Sequence, residues 1–124
     1  MATILIADDS PVTQRLIGLT LRRVGHEIRV ADDGRTALAH LVEEKIDLLI
    51  ADLDMPELDG IELLRLLRAD ASLRVLPVLM LTASGEADHG ERAVAAGANV
   101  YLTKPASSGE LLDAVGKLLE ASQC

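Results

Sequence analysis

An α/β domain built on a mostly parallel sheet is predicted here from three observations. Short runs rich in Ile, Leu and Val recur five times. Segments with helical periodicity separate them, and glycines or prolines stand at the joints between the two. The runs are Thr3 to Ala7, Ile28 to Ala31, Leu48 to Ala51, Pro77 to Leu81 and Val100 to Leu102, and as strands they read as buried on both faces. Each parallel crossover is right-handed and needs a helix to span it, so five such units place helices on both sides of one sheet.

The helices follow in order. In the first, Pro11 occupies a position that an opening helical turn accepts. It is followed by apolar positions at Leu16, Ile17, Leu19, Leu21 and Val24. Asp32-Asp33-Gly34 reads as the start of the second, which carries Leu38, Leu41 and Val42, with Glu43-Glu44 as a solvated face. The fourth contains Gly90, an interior glycine that costs a helix about 1 kcal/mol relative to alanine. Either that helix begins later, near Glu91, or it is a marginal element able to shift. The last has the clearest pattern, with Leu111, Leu112, Val115, Leu118 and Leu119 on one face behind the capping box Ser107-x-x-Glu110. Gly25 and Gly97 follow helices where C-terminal caps favour glycine.

Composition narrows the function. A chain of 124 residues suits a single domain, residues 1–124. No apolar run approaches the roughly 20 residues of a membrane span and no signal-peptide pattern opens the chain, so a cytoplasmic location is expected, without membrane contact. The net charge of −8 repels nucleic-acid phosphates and argues against direct binding to DNA. Cys124 is the only cysteine, which excludes an internal disulfide and a cysteine-rich metal site. The three histidines, His26, His40 and His89, show no metal-ligand spacing and no carboxylate clearly orienting any of them, and read as structural or solvated.

In open parallel α/β sheets, ligands bind beyond the carboxyl ends of the strands. The first strand ends in Asp8-Asp9, the third in Asp52, the fourth in Thr82 and the fifth in Thr103-Lys104; the second contributes nothing obvious. Clustered carboxylates raise one another's pKa values and invite a cation. A hard divalent ion with oxygen ligands fits, and magnesium keeps waters while using one or two carboxylates and a phosphoryl oxygen. Lys104 supplies a point charge for phosphate oxygens and Thr82 a hydroxyl donor. A carboxylate can act as nucleophile and form an acyl phosphate. Taken singly, Asp9 or Asp59 could simply cap a helix, Lys104 could be a surface lysine and Thr82 a turn hydroxyl. Their joint arrival at four strand ends favours chemistry.

With Asp8-Asp9, Asp52-Leu53-Asp54-Met55-Pro56, Asp59-Gly60, Thr82-Ala83 and Lys104-Pro105 in place, the sequence resembles the response-regulator receiver family over essentially its whole length. The resemblance implies a flavodoxin-like, doubly wound five-stranded sheet of order 2-1-3-4-5 with five helices. It also implies a switch that takes a phosphoryl group from a histidine kinase or a histidine phosphotransfer protein onto Asp52 and then changes its binding to a downstream effector. Carried over residue by residue, Asp9 and Asp52 ligate Mg2+, Asp8 acts mainly through water, and the Asp54 carbonyl completes the set. Thr82 and Lys104 grip the phosphoryl group, Tyr101 changes rotamer with Thr82, and the Lys104-Pro105 bond is cis. Asp54 and Ser84 stand where the family tunes phosphoryl lifetime. Cognate kinase, output and oligomeric state stay open.

Two other function classes fit some of these residues. Asp52-Leu53-Asp54 after an apolar strand also resembles the nucleophile motif of haloacid-dehalogenase-like phosphatases, turnover enzymes in which an acid pair follows the lysine. Here no acid pair follows Lys104, and the pair is Asp8-Asp9 instead. A receiver-shaped module that binds without phosphorylation would be marked by a damaged site, and every expected residue is present. The reading is therefore a self-phosphorylating switch with slow autodephosphorylation at most, rather than a turnover enzyme.

Overall fold

The computed structural model describes residues 2–53, 55, 58–82, 87–104 and 106–123. Strand and helix alternate throughout: β1 Thr3–Ala7, α1 Pro11–Arg22, β2 Glu27–Ala31, α2 Gly34–Glu43, β3 Leu48–Asp52, α3 Gly60–Ala69, β4 Val78–Thr82, α4 Ala87–Ala96, β5 Val100–Thr103 and α5 Ser108–Gln123. The strands form one parallel sheet in the order β2-β1-β3-β4-β5. This is the expected flavodoxin-like topology.

Strand alternation divides the core in two, because successive side chains point to opposite faces. Leu5, Ala7, Leu49, Ala51, Val78 and Met80 face α2, α3 and α4, where Ala37, Leu41, Leu63, Leu64, Leu67 and Ala93 meet them. Ile4, Ile6, Leu48, Ile50, Leu79 and Leu81 face α1 and α5, against Ile17, Leu21, Leu111 and Val115. β3 is buried at every position, as expected for a central parallel strand. The outer strands differ from the expectation of burial on both faces: β2 exposes Glu27 and Val30, and β5 exposes Tyr101 and Thr103. Each is a sheet edge covered by fewer neighbours.

Local chemistry explains the boundaries. Ser10 caps α1 by accepting from the Thr13 amide, with Pro11 in the first turn. Asp33 caps α2 and Asp59 caps α3, accepting from the Thr36 and Glu62 amides. The capping box of α5 is formed in both directions, Glu110 amide to Ser107 Oγ and Ser107 amide to Glu110 Oε1. Gly25 and Gly97 have φ of 94° and 117°, the left-handed conformation that ends a helix cheaply only at glycine.

Three expectations need correction. α4 begins at Ala87, so Gly90 lies inside it and the later start near Glu91 does not hold. Of the apolar positions expected for the first helix, Ile17 and Leu21 are buried while Leu16 and Leu19 are exposed, as is Val24 beyond its end, since one helical stripe suffices to cover the sheet. His40 does have an orienting carboxylate: its Nδ1 is 2.7 Å from Glu44, which also accepts from Arg29 at 2.9 Å. Glu44 thereby belongs to a small ion-pair cluster rather than to a purely solvated face.

Candidate functional site

The carboxyl ends of β1, β3, β4 and β5 share one edge because the register aligns them. Ala7 pairs with Ala51, Asp52 with Leu81, and Thr82 with Thr103. The ends of these short strands therefore lie at nearly the same level, so that Asp52 and Thr82, which close β3 and β4, and Asp8, Asp9 and Lys104, which follow β1 and β5, gather at this edge. Asp59 does not join as a separate chemical group. It caps α3, the bland role that it shares with Asp33.

Asp8 is fully buried and Asp52 is 6% exposed, the only buried charged residues among those described. The Asp8 amide donates to Ala31 O, which ties the end of β1 to β2. Its Oδ1 accepts from the Ser10 amide at 2.8 Å, fixing the carboxylate just ahead of the α1 cap. Lys104 Nζ then lies 2.9 Å from Asp8 Oδ2 and 3.1 Å from Asp52 Oδ2. Burial works to lower the lysine pKa, but the contacts and charges of Asp8 and Asp52 outweigh it, so the ammonium sits above its ordinary value. It stays a cation at any physiological pH.

Asp8, Asp9 and Asp52 each bring a carboxylate oxygen to within 4.8 Å of the others. Ligand oxygens around a six-coordinate magnesium lie about 3 to 4 Å apart, given metal–oxygen distances near 2.1 Å. The cluster thus fits an ion held partly directly and partly through water. A further observation agrees with a cation: one lysine, 2.9 Å from Asp8 Oδ2, leaves three close carboxylates with excess negative charge.

The close fit of α3 behind β3 supports the acid at the strand end. The Gly60 amide donates to Leu53 O at 3.0 Å, and a β-carbon at Gly60 would stand 2.5 Å from Asp52 O and 2.7 Å from Met80 Cε. Only glycine lets α3 start so near the acid. Thr82 closes β4, with its hydroxyl outside the described atoms, and Tyr101 is 42% exposed on β5. Asp54, Ser84 and Pro105, and with Pro105 the expected cis bond, lie outside the described residues.

Gln14 was not singled out from the sequence. Its Nε2 donates to Asp8 O at 2.5 Å and to Asp32 Oδ1 at 2.8 Å, bracing the acid pair against the end of β2. The second strand thus contributes to the site after all, through Asp32. A glutamine on the first turn of a helix carries no signal in itself; only the parallel pairing of β1 and β2 brings Asp32 within its reach.

A family model described as the response regulator receiver domain matches residues 4–116. The chain is 42% identical over 118 residues to the chemotaxis protein CheY of Pseudomonas aeruginosa, covering 94% of this chain and 95% of that protein. It is 39% identical over 118 residues to chemotaxis protein CheY-3 of Vibrio cholerae, covering 94% and 91%. Among solved structures, the chemotaxis response regulator CheY4 of Vibrio cholerae superposes with a TM-score of 0.89 at 33% identity, covering 96% of this chain and 99% of that one. Receiver domains are signalling switches rather than typical turnover enzymes, and the acid cluster here is of the kind that serves magnesium in that family. With topology, strand-end acids and sequence all in agreement, the chain belongs to the response regulator receiver domain family, the phosphoacceptor switches of two-component signalling.

Proposed function

We propose that residues 1–124 act as one receiver unit and that Asp52 is its phosphoacceptor. The observation that carries this reading is the Lys104 ammonium set between buried Asp8 and Asp52, at 2.9 and 3.1 Å. A carboxylate oxygen of Asp52 attacks the phosphorus of a phosphohistidine or small acyl phosphate. The new P–O bond forms as the old P–N or P–O bond breaks, and the leaving group keeps the electron pair. Lys104 follows a phosphoryl oxygen from its position beside Asp52, and Thr82, next to Leu81 across from Asp52, offers the second donor. Asp8, Asp9, Asp52 and the carbonyl of Asp54 would hold Mg2+, whose charge offsets that of the phosphoryl oxygens. Thr82 and Tyr101 form the switch that relays the modified state to an effector.

The partners in this reading are a histidine kinase or phosphotransfer protein and a downstream effector, met in the cytoplasm and without direct contact to nucleic acid. No described helix is long and apolar enough to cross a membrane. Incubation with magnesium and acetyl phosphate tests the reading against the phosphatase alternative. One phosphoryl group per chain, acid-stable and base-labile, is expected. Sustained hydrolysis of phosphate monoesters without accumulation of that species would refute it.

A further inference from the structure

A groove of about 340 Å3 between α3 and α4 is lined by Ile61, Arg65, Arg68, Arg92, Ala95 and Ala96. Three arginines in one groove are unexpected in a chain of net charge −8. Some cations are matched with acids: Arg29 with Glu27 and Glu44, Lys117 with Asp113, Lys104 with Asp8 and Asp52. Arg65 and Arg92 are exposed, and among the described residues neither side chain makes an ion pair or hydrogen bond.

Arg68 contributes charge without contributing donors. Its Nε and one terminal nitrogen donate to Gly97 O, the same nitrogen reaches Asn99 Oδ1, and the other serves Arg74 O and Leu76 O, all within 3.0 Å. Those contacts use its full set of five N–H groups. Held by those five bonds, the guanidinium forms a fixed positive wall that an incoming anion does not have to order. Two free forks stand beside it, each able to take a carboxylate in bidentate fashion. Ile61, Ala95 and Ala96 add a narrow apolar lining that suits an aliphatic stem.

We propose that the α3–α4 groove binds an acidic segment of a partner protein, Arg65 and Arg92 receiving its carboxylates while the apolar lining contacts the stems of its glutamates. A short acidic segment is favoured over a nucleic acid because the net charge of −8 repels a long phosphate chain far more than a few local carboxylates.

The test is titration of the full chain with a capped peptide of alternating glutamate and leucine, followed by backbone amide NMR. Saturable one-to-one binding is expected, with shifts centred on residues 61–68 and 92–97. Affinity should fall about threefold in Arg65→Gln or Arg92→Gln and about tenfold in the double variant, in line with exposed ion pairs. Both arginines are exposed, so these variants keep the fold, and Arg22→Gln on α1 should leave affinity unchanged. The glutamine version of the peptide should not bind. No binding, equal binding by the double variant, or shifts centred elsewhere would overturn the proposal. Inorganic phosphate saturating the same residues as tightly as the peptide would overturn the acidic-segment assignment in favour of a small-anion site. Dimerisation that depends on Arg65 and Arg92 without peptide would equally replace the partner protein with a second copy.

Discussion

Magnesium should stabilise the folded chain, and Asp9→Ala should remove most of that effect. The three carboxylates come within 4.8 Å of one another only when β1 and β3 pair, so an ion bound there favours the folded state by mass action. At a magnesium concentration a hundredfold above Kd the gain is about 2.7 kcal/mol. For a domain of 124 residues that corresponds to a rise in Tm of about 10 °C. Asp9 is exposed and makes no hydrogen bond or ion pair among the described residues, so its loss removes a ligand without opening the core. A site weakened a hundredfold would keep only about 0.4 kcal/mol at the same magnesium concentration. Metal-free Asp9→Ala should be no less stable than the parent, since like charges 4.8 Å apart repel by about 1 kcal/mol where water screens them. Thermal unfolding followed by far-ultraviolet circular dichroism, with and without magnesium, gives all four midpoints. An equal magnesium shift in parent and variant would refute the ligand set.

Three further outcomes follow from particular contacts. Gly60→Ala should cost about 1 to 3 kcal/mol through overpacking, because its β-carbon meets Asp52 O and Met80 Cε; an unchanged urea midpoint would mean that α3 relaxes freely. Burial, and secondarily the charge of the N-terminus, hold the His26 pKa below its ordinary value. Its contribution to stability is therefore complete above about pH 6.5 and is lost as the pH falls through the folded value. His26→Gln should flatten the decline in Tm as the pH falls below about 6.5, and an identical decline in both proteins would assign it to other groups. Tyr101 is the only aromatic residue, so beryllofluoride with magnesium should alter tyrosine emission in the parent but not in Asp52→Asn. A saturated parent with unchanged emission would leave Tyr101 as a packing residue.

What the sequence revealed well was whatever local pattern controls. The continuous apolar runs of β1 and β3 marked buried parallel strands, and the acids at their ends meet in the candidate site because strand ends converge in such sheets. Ser107 and Glu110 disclosed the α5 cap because both partners lie within one turn. Long-range contacts left no such trace. The bridge from Gln14 to Asp32, the five bonds of Arg68 and the pairing of Arg29 with Glu44 join separate elements, and periodicity carries no information about which polar side chains will face each other. Nor does an apolar residue announce its burial: Leu16 and Leu19 look like Ile17 and Leu21 in sequence, yet only the latter pair meets the sheet.

The most direct test of the account is the location of the phosphoryl group. Parent and Asp52→Asn chains would be incubated with acetyl phosphate and magnesium, trapped at the acyl phosphate, and mapped by peptide mass spectrometry. The account predicts a single modification, on Asp52, that is absent when Asp52 is replaced or magnesium is removed. Labelling of Asp52→Asn at the parent rate, or a modification mapped to Asp8, Asp9 or a histidine in the parent, would contradict it.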